Sequence, residues 1–152
     1  MFKNVIICTL LMILVACSKH QPEITAVEFV EKMKLGDNLF SLSFKVSKNT
    51  QTFRLLAKNL GENEASTRLE KELFKKVKIH QGKWNDNLAN SYLEYFSVAE
   101  LNSIFYEKRN SKYAEKMTKM QKRVGDSMEN RSKELLKLVV TESLNSVNKS
   151  VQ

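Results

Sequence analysis

Helix-breaking residues are scarce in this chain, and their scarcity constrains the fold more than any other feature. The 152 residues include one proline, Pro22, and four glycines. Proline and glycine are the residues that most disfavour a helix interior, so long stretches are free to be helical. Hydrophobic residues make up 42% of the chain and charged residues 28%, which is typical of a folded domain. We therefore expect one mostly helical domain.

Apolar residues recur at three- and four-residue intervals, which places them on one face of a helix. The first such segment covers residues 23–35. Residues 39–60 are ambiguous, because residues 40–46 alternate between apolar and polar as a strand does. The length of the longer pattern favours a helix that ends at Gly61.

The second half predicts further helices, separated by a turn and by a cap. One stripe at i+4 spacing covers residues 64–79, and another begins at Trp84 after a predicted turn at residues 81–83. Ser97 and Glu100 have the spacing of a capping box, so we expect a new helix to start there.

A long amphipathic helix is predicted from Tyr113 to near the C-terminus, after a break at residues 110–111. Gly125 costs this helix about 1 kcal/mol relative to alanine and marks a candidate bend. The predicted fold class is all-α, with a single bundle of about five or six helices over residues 23–152 and no sheet.

The N-terminus has the pattern of a secretory signal peptide. Lys3 precedes an uncharged apolar run over residues 5–15. That run is shorter than the about 20 apolar residues that cross a bilayer. A charged start, a short apolar run and small residues at its end are typical of a signal peptide.

Residues 14–17, Leu-Val-Ala-Cys, resemble the lipobox of bacterial lipoproteins. The resemblance implies that residues 1–16 are removed, that the sulfur of Cys17 carries a diacylglyceryl group, and that its new amine is acylated, for example with palmitate. Residues 17–22 would then be the tether. Two or more acyl chains make such an anchor stable. Because Ser18 follows the cysteine, the resemblance also implies that the anchor lies in the outer membrane and that the domain faces the periplasm.

A second resemblance rests on aromatic, capping and lysine residues. These are Trp84, Phe96, the cap Ser97-Val98-Ala99-Glu100-Leu101, Phe105-Tyr106, and Lys112-Tyr113-Ala114-Glu115-Lys116-Met117. The pattern resembles an exported bacterial family known as domain of unknown function 2059, over residues 84–130. Residues 107–111 lack the Ser/Thr-Pro-x-Gly turn of that family. The resemblance implies an all-helical exported domain with no known activity.

Positive charge is concentrated in one stretch of this chain, whose formal net charge is +8. Seven basic residues and one acidic residue lie within residues 108–123. Five of them share one helical face if the helix is unbroken through Asn110: Lys108, Lys112, Lys116, Lys119 and Arg123. Like charges at i+4 destabilise a helix, so an anionic partner is one explanation of the pattern, and a solvated face that aids solubility is the other.

The aromatic residues between Trp84 and Tyr113 are the expected core, because a bundle needs large apolar side chains. The alternative is an apolar groove for a ligand or a partner helix. Its candidate residues are Trp84, Tyr92, Phe96 and Phe105.

Motifs for catalysis, metal binding or phosphate binding are absent from the sequence, so we predict no enzyme activity, metal or cofactor. The predicted function is a lipid-anchored binding or scaffold module of the bacterial envelope. Its expected partner is lipid phosphate, peptidoglycan or an acidic protein, and not nucleic acid. A periplasmic inhibitor or immunity-type lipoprotein that blocks an enzyme or toxin is one alternative, and a carrier of an apolar ligand is another.

Overall fold

The helices predicted from the apolar spacing are present in a computed structural model that describes residues 21–151. This range contains six α-helices, one short 3-10 helix and no strand, which confirms the all-α prediction. The elements are α1 (Ala26–Lys32), α2 (Leu39–Lys48), α3 (Gln51–Leu60), α4 (Glu62–Leu93), α5 (Val98–Glu107), the 3-10 helix (Lys108–Asn110) and α6 (Ala114–Lys149). The predicted signal peptide, the lipidation site Cys17 and most of the tether lie outside the described residues.

The segment 39–60 forms two helices where the sequence predicts one. α2 ends at Lys48, and the backbone N–H of Phe53 donates a hydrogen bond of 3.1 Å to the Thr50 hydroxyl at the start of α3. A threonine at this position satisfies a backbone N–H that has no partner within the helix. The cap therefore outweighs the continuous apolar spacing on which the single-helix prediction rested.

α4 runs through residues 81–83, so the turn predicted there is wrong. The side chain of Gln81 donates a hydrogen bond of 2.9 Å to the backbone oxygen of Gly36, which holds the loop after α1 against this part of α4. The packing of α4 against α1, α2, α3 and α6 outweighs the cost of Gly82 within the helix. α6 likewise runs for 36 residues through Gly125.

α4 and α6 are the long central pair of the bundle. α1, α2 and α3 pack against α4, α2 also packs against α6, and α5 packs against α1. Three apolar clusters lie along this pair. The first cluster includes Ile24, Phe29, Tyr92, Phe96, Leu101 and Val124, the second includes Phe53, Leu56, Leu69, Leu73, Val139 and Leu144, and the third consists of Leu39, Trp84 and Met128.

α2 buries its small residues and leaves larger ones half-buried. Ser43 and Ser47 are fully buried, one and two turns after the buried Leu39. Leu42 and Val46, which the spacing predicts as core positions, are only half-buried. The small side chains of the two serines allow α2 to approach its neighbours closely, and the apolar side of α2 next to them stays partly open.

Candidate functional site

The basic stretch between Lys108 and Arg123 is divided between two helices and a connecting segment. α5 ends at Glu107, the backbone of Lys108 has a φ of 54°, and α6 begins at Ala114. The helix is therefore broken at Asn110, and the five predicted residues do not form one continuous face. Lys108 and Lys112 lie on the connection, whereas Lys116, Lys119 and Arg123 lie on α6.

Two of the five basic side chains contact acidic residues of the domain itself. The ammonium of Lys116 lies 2.8 Å from the Glu100 carboxylate and 4.8 Å from the centre of the Phe96 ring. Lys119 pairs with Glu115 at 2.6 Å. The ammonium of Lys116, together with the backbone N–H of Ser97, lowers the pKa of the Glu100 carboxyl. Lys116 thus joins α6 to the start of α5.

Arg123 lies beside a shallow polar pocket at the end of α4. The pocket has a volume of about 400 Å³ and is lined by Glu94, Tyr95, Arg123, Asp126, Ser127, Asn130 and Arg131. The guanidinium of Arg131 pairs with the Glu94 carboxylate at 2.6 Å. The hydrogen bonds that Glu94 accepts from Arg131 and Ser127 lower its pKa. Because Glu94 and Arg131 pair with each other, the pocket belongs to the ion pairs and hydrogen bonds that join α4 to α6 at the surface of the bundle.

The connection carries three exposed basic residues, Lys108, Arg109 and Lys112, which we call the basic corner. Lys119, Lys122 and Arg123 on α6 are exposed as well. Within residues 21–151 no residue of the basic corner forms an ion pair. The one neighbouring acid, Glu107, accepts a hydrogen bond of 2.9 Å from the Ser103 hydroxyl. Arg109 does not fit the helical spacing and was missed for that reason.

The polypeptide that precedes α1 is held on α5, the helix that leads into the basic corner. The hydroxyl of Tyr106 donates a hydrogen bond of 2.6 Å to the backbone oxygen of Pro22. The side chain of Asn102 bonds both the N–H and the C=O of Ile24, at 2.8 Å each. These hydrogen bonds hold residues 22–24 against α5. Tyr106 precedes Lys108 by two residues in the sequence.

The four aromatic candidates for an apolar groove lie in two clusters, and Tyr92 shares the first cluster with Phe96. Phe96 is buried in the first cluster, and Phe105 packs against that cluster. Trp84 is buried in the third cluster, where its indole N–H donates a hydrogen bond of 3.2 Å to the Asn38 side chain. Burial raises the pKa of the Tyr92 hydroxyl. Trp84 and Tyr92 also line a groove, whereas Phe96 and Phe105 do not.

This groove runs between α2 and α6, and α4 forms its floor. Its volume is about 960 Å³. The wall from α2 is Leu42 and Val46, the floor is Trp84, Leu88 and Tyr92, and the wall from α6 is Val124, Met128, Leu136 and Val140. The apolar spacing of the sequence places most of these residues in core stripes, whereas Leu136 and Val140 lie outside the stripe predicted for α6. The groove was missed because it depends on how close α2 stands to α6.

The outer lip of the groove is a polar row on α6. It contains Gln121, Gly125, Glu129, Lys133, Lys137 and Thr141, each four residues after the last. A Cβ added at Gly125 would contact nothing within 4 Å, and its φ is not positive. Neither packing nor backbone geometry requires this glycine, which costs the helix about 1 kcal/mol relative to alanine.

A basic and partly apolar surface on α4 was also missed by the sequence analysis. Phe74 and Ile79 are each 69% exposed, and exposed lysines lie around them at Lys71, Lys75 and Lys78. The sequence shows this surface as a lysine-rich stretch. It was overlooked because acidic residues elsewhere in the first half of the chain bring the net charge of that half close to zero.

The described residues contain no group of three or more His, Cys, Asp or Glu side chains that could hold a metal ion. No helix within residues 21–151 is both long and apolar enough to cross a bilayer.

Comparisons with family models, with curated proteins and with solved structures find no match to this chain. The two resemblances drawn from the sequence therefore stay predictions.

Proposed function

We propose that this protein is a non-catalytic, lipid-anchored module of the bacterial envelope whose basic corner contacts the anionic surface of the membrane that holds it. The hydrogen bond between Tyr106 and Pro22 carries the proposal. It holds the start of the domain against Tyr106, which precedes Lys108 by two residues in the sequence, and the predicted anchor directly precedes this segment.

The predicted anchor is close enough to bring the basic corner to the lipid headgroups. Cys17 precedes Pro22 by five residues, which span at most about 18 Å when fully extended. A lysine or arginine near an anionic membrane contributes about 1 kcal/mol. Lys108, Arg109 and Lys112 together would contribute about 3 kcal/mol, which favours one orientation of the anchored domain over the others.

The ion pairs of Lys116 and Lys119 make the proposed membrane contact smaller than the basic face that the sequence predicts. Both ammonium groups already contact carboxylates of the domain, so they add less to binding of an outside anion than an unpaired lysine does. Lys108, Lys112 and Arg123 remain from the predicted face, and Arg109 joins them. An acidic protein partner is the alternative reading of the same surface.

Binding of the domain to lipid vesicles tests the proposal. Residues 21–152, which hold all three apolar clusters, are mixed with vesicles of phosphatidylglycerol or of phosphatidylcholine and sedimented. The variant Lys108→Gln/Arg109→Gln/Lys112→Gln is expected to bind phosphatidylglycerol about 100-fold more weakly, since about 3 kcal/mol is lost. Circular dichroism confirms that each variant is folded.

A second variant with the same charge change serves as the control. Lys45, Lys58 and Lys149 are exposed residues of other helices, and their replacement by glutamine is expected to weaken binding far less. Equal loss in the two triple variants contradicts a localised contact. If vesicle binding is weakened only in the variant Phe74→Ser/Ile79→Ser, the membrane contact lies on α4 instead. If the domain retains an acidic periplasmic protein but does not bind vesicles, the inhibitor alternative is favoured.

A further inference from the structure

We propose that the groove between α2 and α6 binds an anionic amphiphile with a single acyl chain. The chain lies along Trp84, Leu88 and Tyr92 on the floor of the groove, and the acidic head lies at Lys133 and Lys137 on its lip. A free fatty acid and a lysophospholipid share this chemistry. The inference stands on the groove alone and does not depend on the membrane contact of the basic corner.

The dimensions of the groove fit an acyl chain. Its volume of about 960 Å³ is at the upper end of the roughly 300–1,000 Å³ of small-molecule sites. The distance along α6 from Lys137 back to Gln121 is about 24 Å at 1.5 Å per residue, which is close to the length of an extended palmitoyl chain.

The charges of the lip favour an anionic head at one end. Within residues 21–151, Lys133 forms neither an ion pair nor a side-chain hydrogen bond. Lys137 has only a distant contact with Glu134, at 4.0 Å and between two well-exposed side chains. Glu129, the one acid on the lip, lies one turn from Lys133 towards the opposite end. A carboxylate or phosphate is therefore attracted to the end that holds both lysines.

Gly125 is the position at which access to the groove can be tested. It lines the groove, and nothing in the fold requires a glycine there. Alanine at this position would stabilise α6, but its methyl group would narrow the mouth. Gly82 of α4 has equally open surroundings away from the groove, so Gly125 serves as a probe of the mouth and not as evidence for a ligand.

The arrangement of α2 keeps the groove open. Its fully buried stripe is Leu39, Ser43 and Ser47, so α2 packs closely through small residues. Leu42 and Val46 consequently face the groove and are only half-buried. An acyl chain would cover them and would complete the apolar contacts of Met128 and Val140 on the opposite wall.

Photo-crosslinking of the full chain in lipid nanodiscs tests the inference. The probe is palmitate with a diazirine in its chain, and the readout is mass spectrometry of tryptic peptides. We expect crosslinks on the peptide Val124–Arg131, which holds five groove residues: Val124, Gly125, Met128, Glu129 and Asn130. The Gly125→Leu variant should lose them, because leucine favours the helix but fills the mouth. Gly125→Ala should reduce them partially.

Matched variants separate ligand exclusion from a general effect on the helices. Gly82 is an exposed glycine of α4 that does not line the groove, and an added Cβ there also meets nothing within 4 Å. Gly82→Leu should leave crosslinking of Val124–Arg131 unchanged. Lys133→Gln/Lys137→Gln should raise the palmitate concentration needed for half-maximal crosslinking about tenfold, and Lys45→Gln/Lys58→Gln should not.

Competition with unlabelled compounds distinguishes the two sources of the ligand. Free palmitate and lysophosphatidylglycerol are each titrated against the probe, and the one that competes at the lower concentration identifies the source. Hexadecanol, which has the chain without the charge, should compete more weakly than both. Three outcomes would each overturn the inference. Crosslinks could be confined to residues 1–20, they could persist in the Gly125→Leu variant, or hexadecanol could compete as well as the charged compounds.

Discussion

At the scale of single residues, Glu100 joins local structure to tertiary structure. Its carboxylate accepts a hydrogen bond of 2.8 Å from the backbone N–H of Ser97, which completes the capping box of α5. The same carboxylate contacts the ammonium of Lys116 on α6 at 2.8 Å. The capping box was predicted from spacing, whereas the contact with Lys116 was not, because it joins two helices.

Glu100→Gln should lower stability by an amount that depends on pH. The pKa of Glu100 is lowered from its usual 4.5, first by Lys116 and then by Ser97, so the carboxylate stabilises the fold. That contribution is complete above the unfolded pKa and is lost as pH falls below about 4.5 through the folded pKa. The difference in unfolding free energy between wild type and Glu100→Gln, measured with urea, should be largest near neutral pH and shrink in acid.

A matched control for this prediction is Glu28→Gln. Glu28 occupies the same position in the capping box of α1, but its carboxylate contacts only Thr25 and Lys32 of that helix and its cap. Its pKa is lowered as well, chiefly by the hydrogen bond from the Thr25 backbone. We expect the same direction and a smaller effect, since no second helix is involved. A pH-independent difference for Glu100→Gln would contradict the role given to Lys116.

At the scale of helices, caps were predictable and interruptions were less so. Ser97 and Gly61 lie at helix boundaries where the sequence places them. The turn at residues 81–83 is absent because contacts with other helices hold α4 continuous, and a local pattern does not contain those contacts. The break at Thr50 had a local signal, the threonine three residues before Phe53, which the longer apolar spacing obscured.

Gly82→Ala tests the continuity of α4. Since Gly82 lies within a helix and an added Cβ contacts nothing within 4 Å, alanine should raise the free energy of unfolding by about 1 kcal/mol. Gly61, with a φ of 85°, is the control, and Gly61→Ala should be destabilising because this backbone conformation disfavours a side chain. Both are measured by urea denaturation. Destabilisation by Gly82→Ala would favour the turn that the sequence predicted.

At the scale of the whole molecule, α4 and α6 couple the two ends of the bundle. Both helices contribute residues to each of the two large clusters: α4 through Tyr92 in the first and Leu73 in the second, and α6 through Val124 and Val139. Trp84 on α4 and Met128 on α6 lie in the third cluster. Loss of packing at one end is therefore transmitted to the other through two long helices.

Leu73→Ala should destabilise the whole domain and not only the cluster that contains it. Leu73 is fully buried in the second cluster, and such truncations cost about 2–5 kcal/mol. Far-ultraviolet circular dichroism and the fluorescence of Trp84 should report one coincident transition at a lower urea midpoint. Two separate transitions, with Trp84 unaffected by the first, would show that the ends of the bundle unfold independently.

The sequence by itself determined the fold class, most of the helices and the start of α5 at the Ser97 capping box. These are local properties, because helical spacing and caps depend on residues within one or two turns. It also located the excess positive charge within residues 108–123. The lipid anchor at Cys17 and the family resemblance are predictions from the sequence.

Only the tertiary structure decided which predicted residues act together. It placed Trp84 and Tyr92 in the lining of the groove and left Phe96 and Phe105 out of that lining, and it turned Lys116 towards Glu100. It also buried serines on α2 in place of larger apolar residues, which opened the groove. The physical reason is that burial depends on the distances between helices, and these are set by side chains far apart in the sequence.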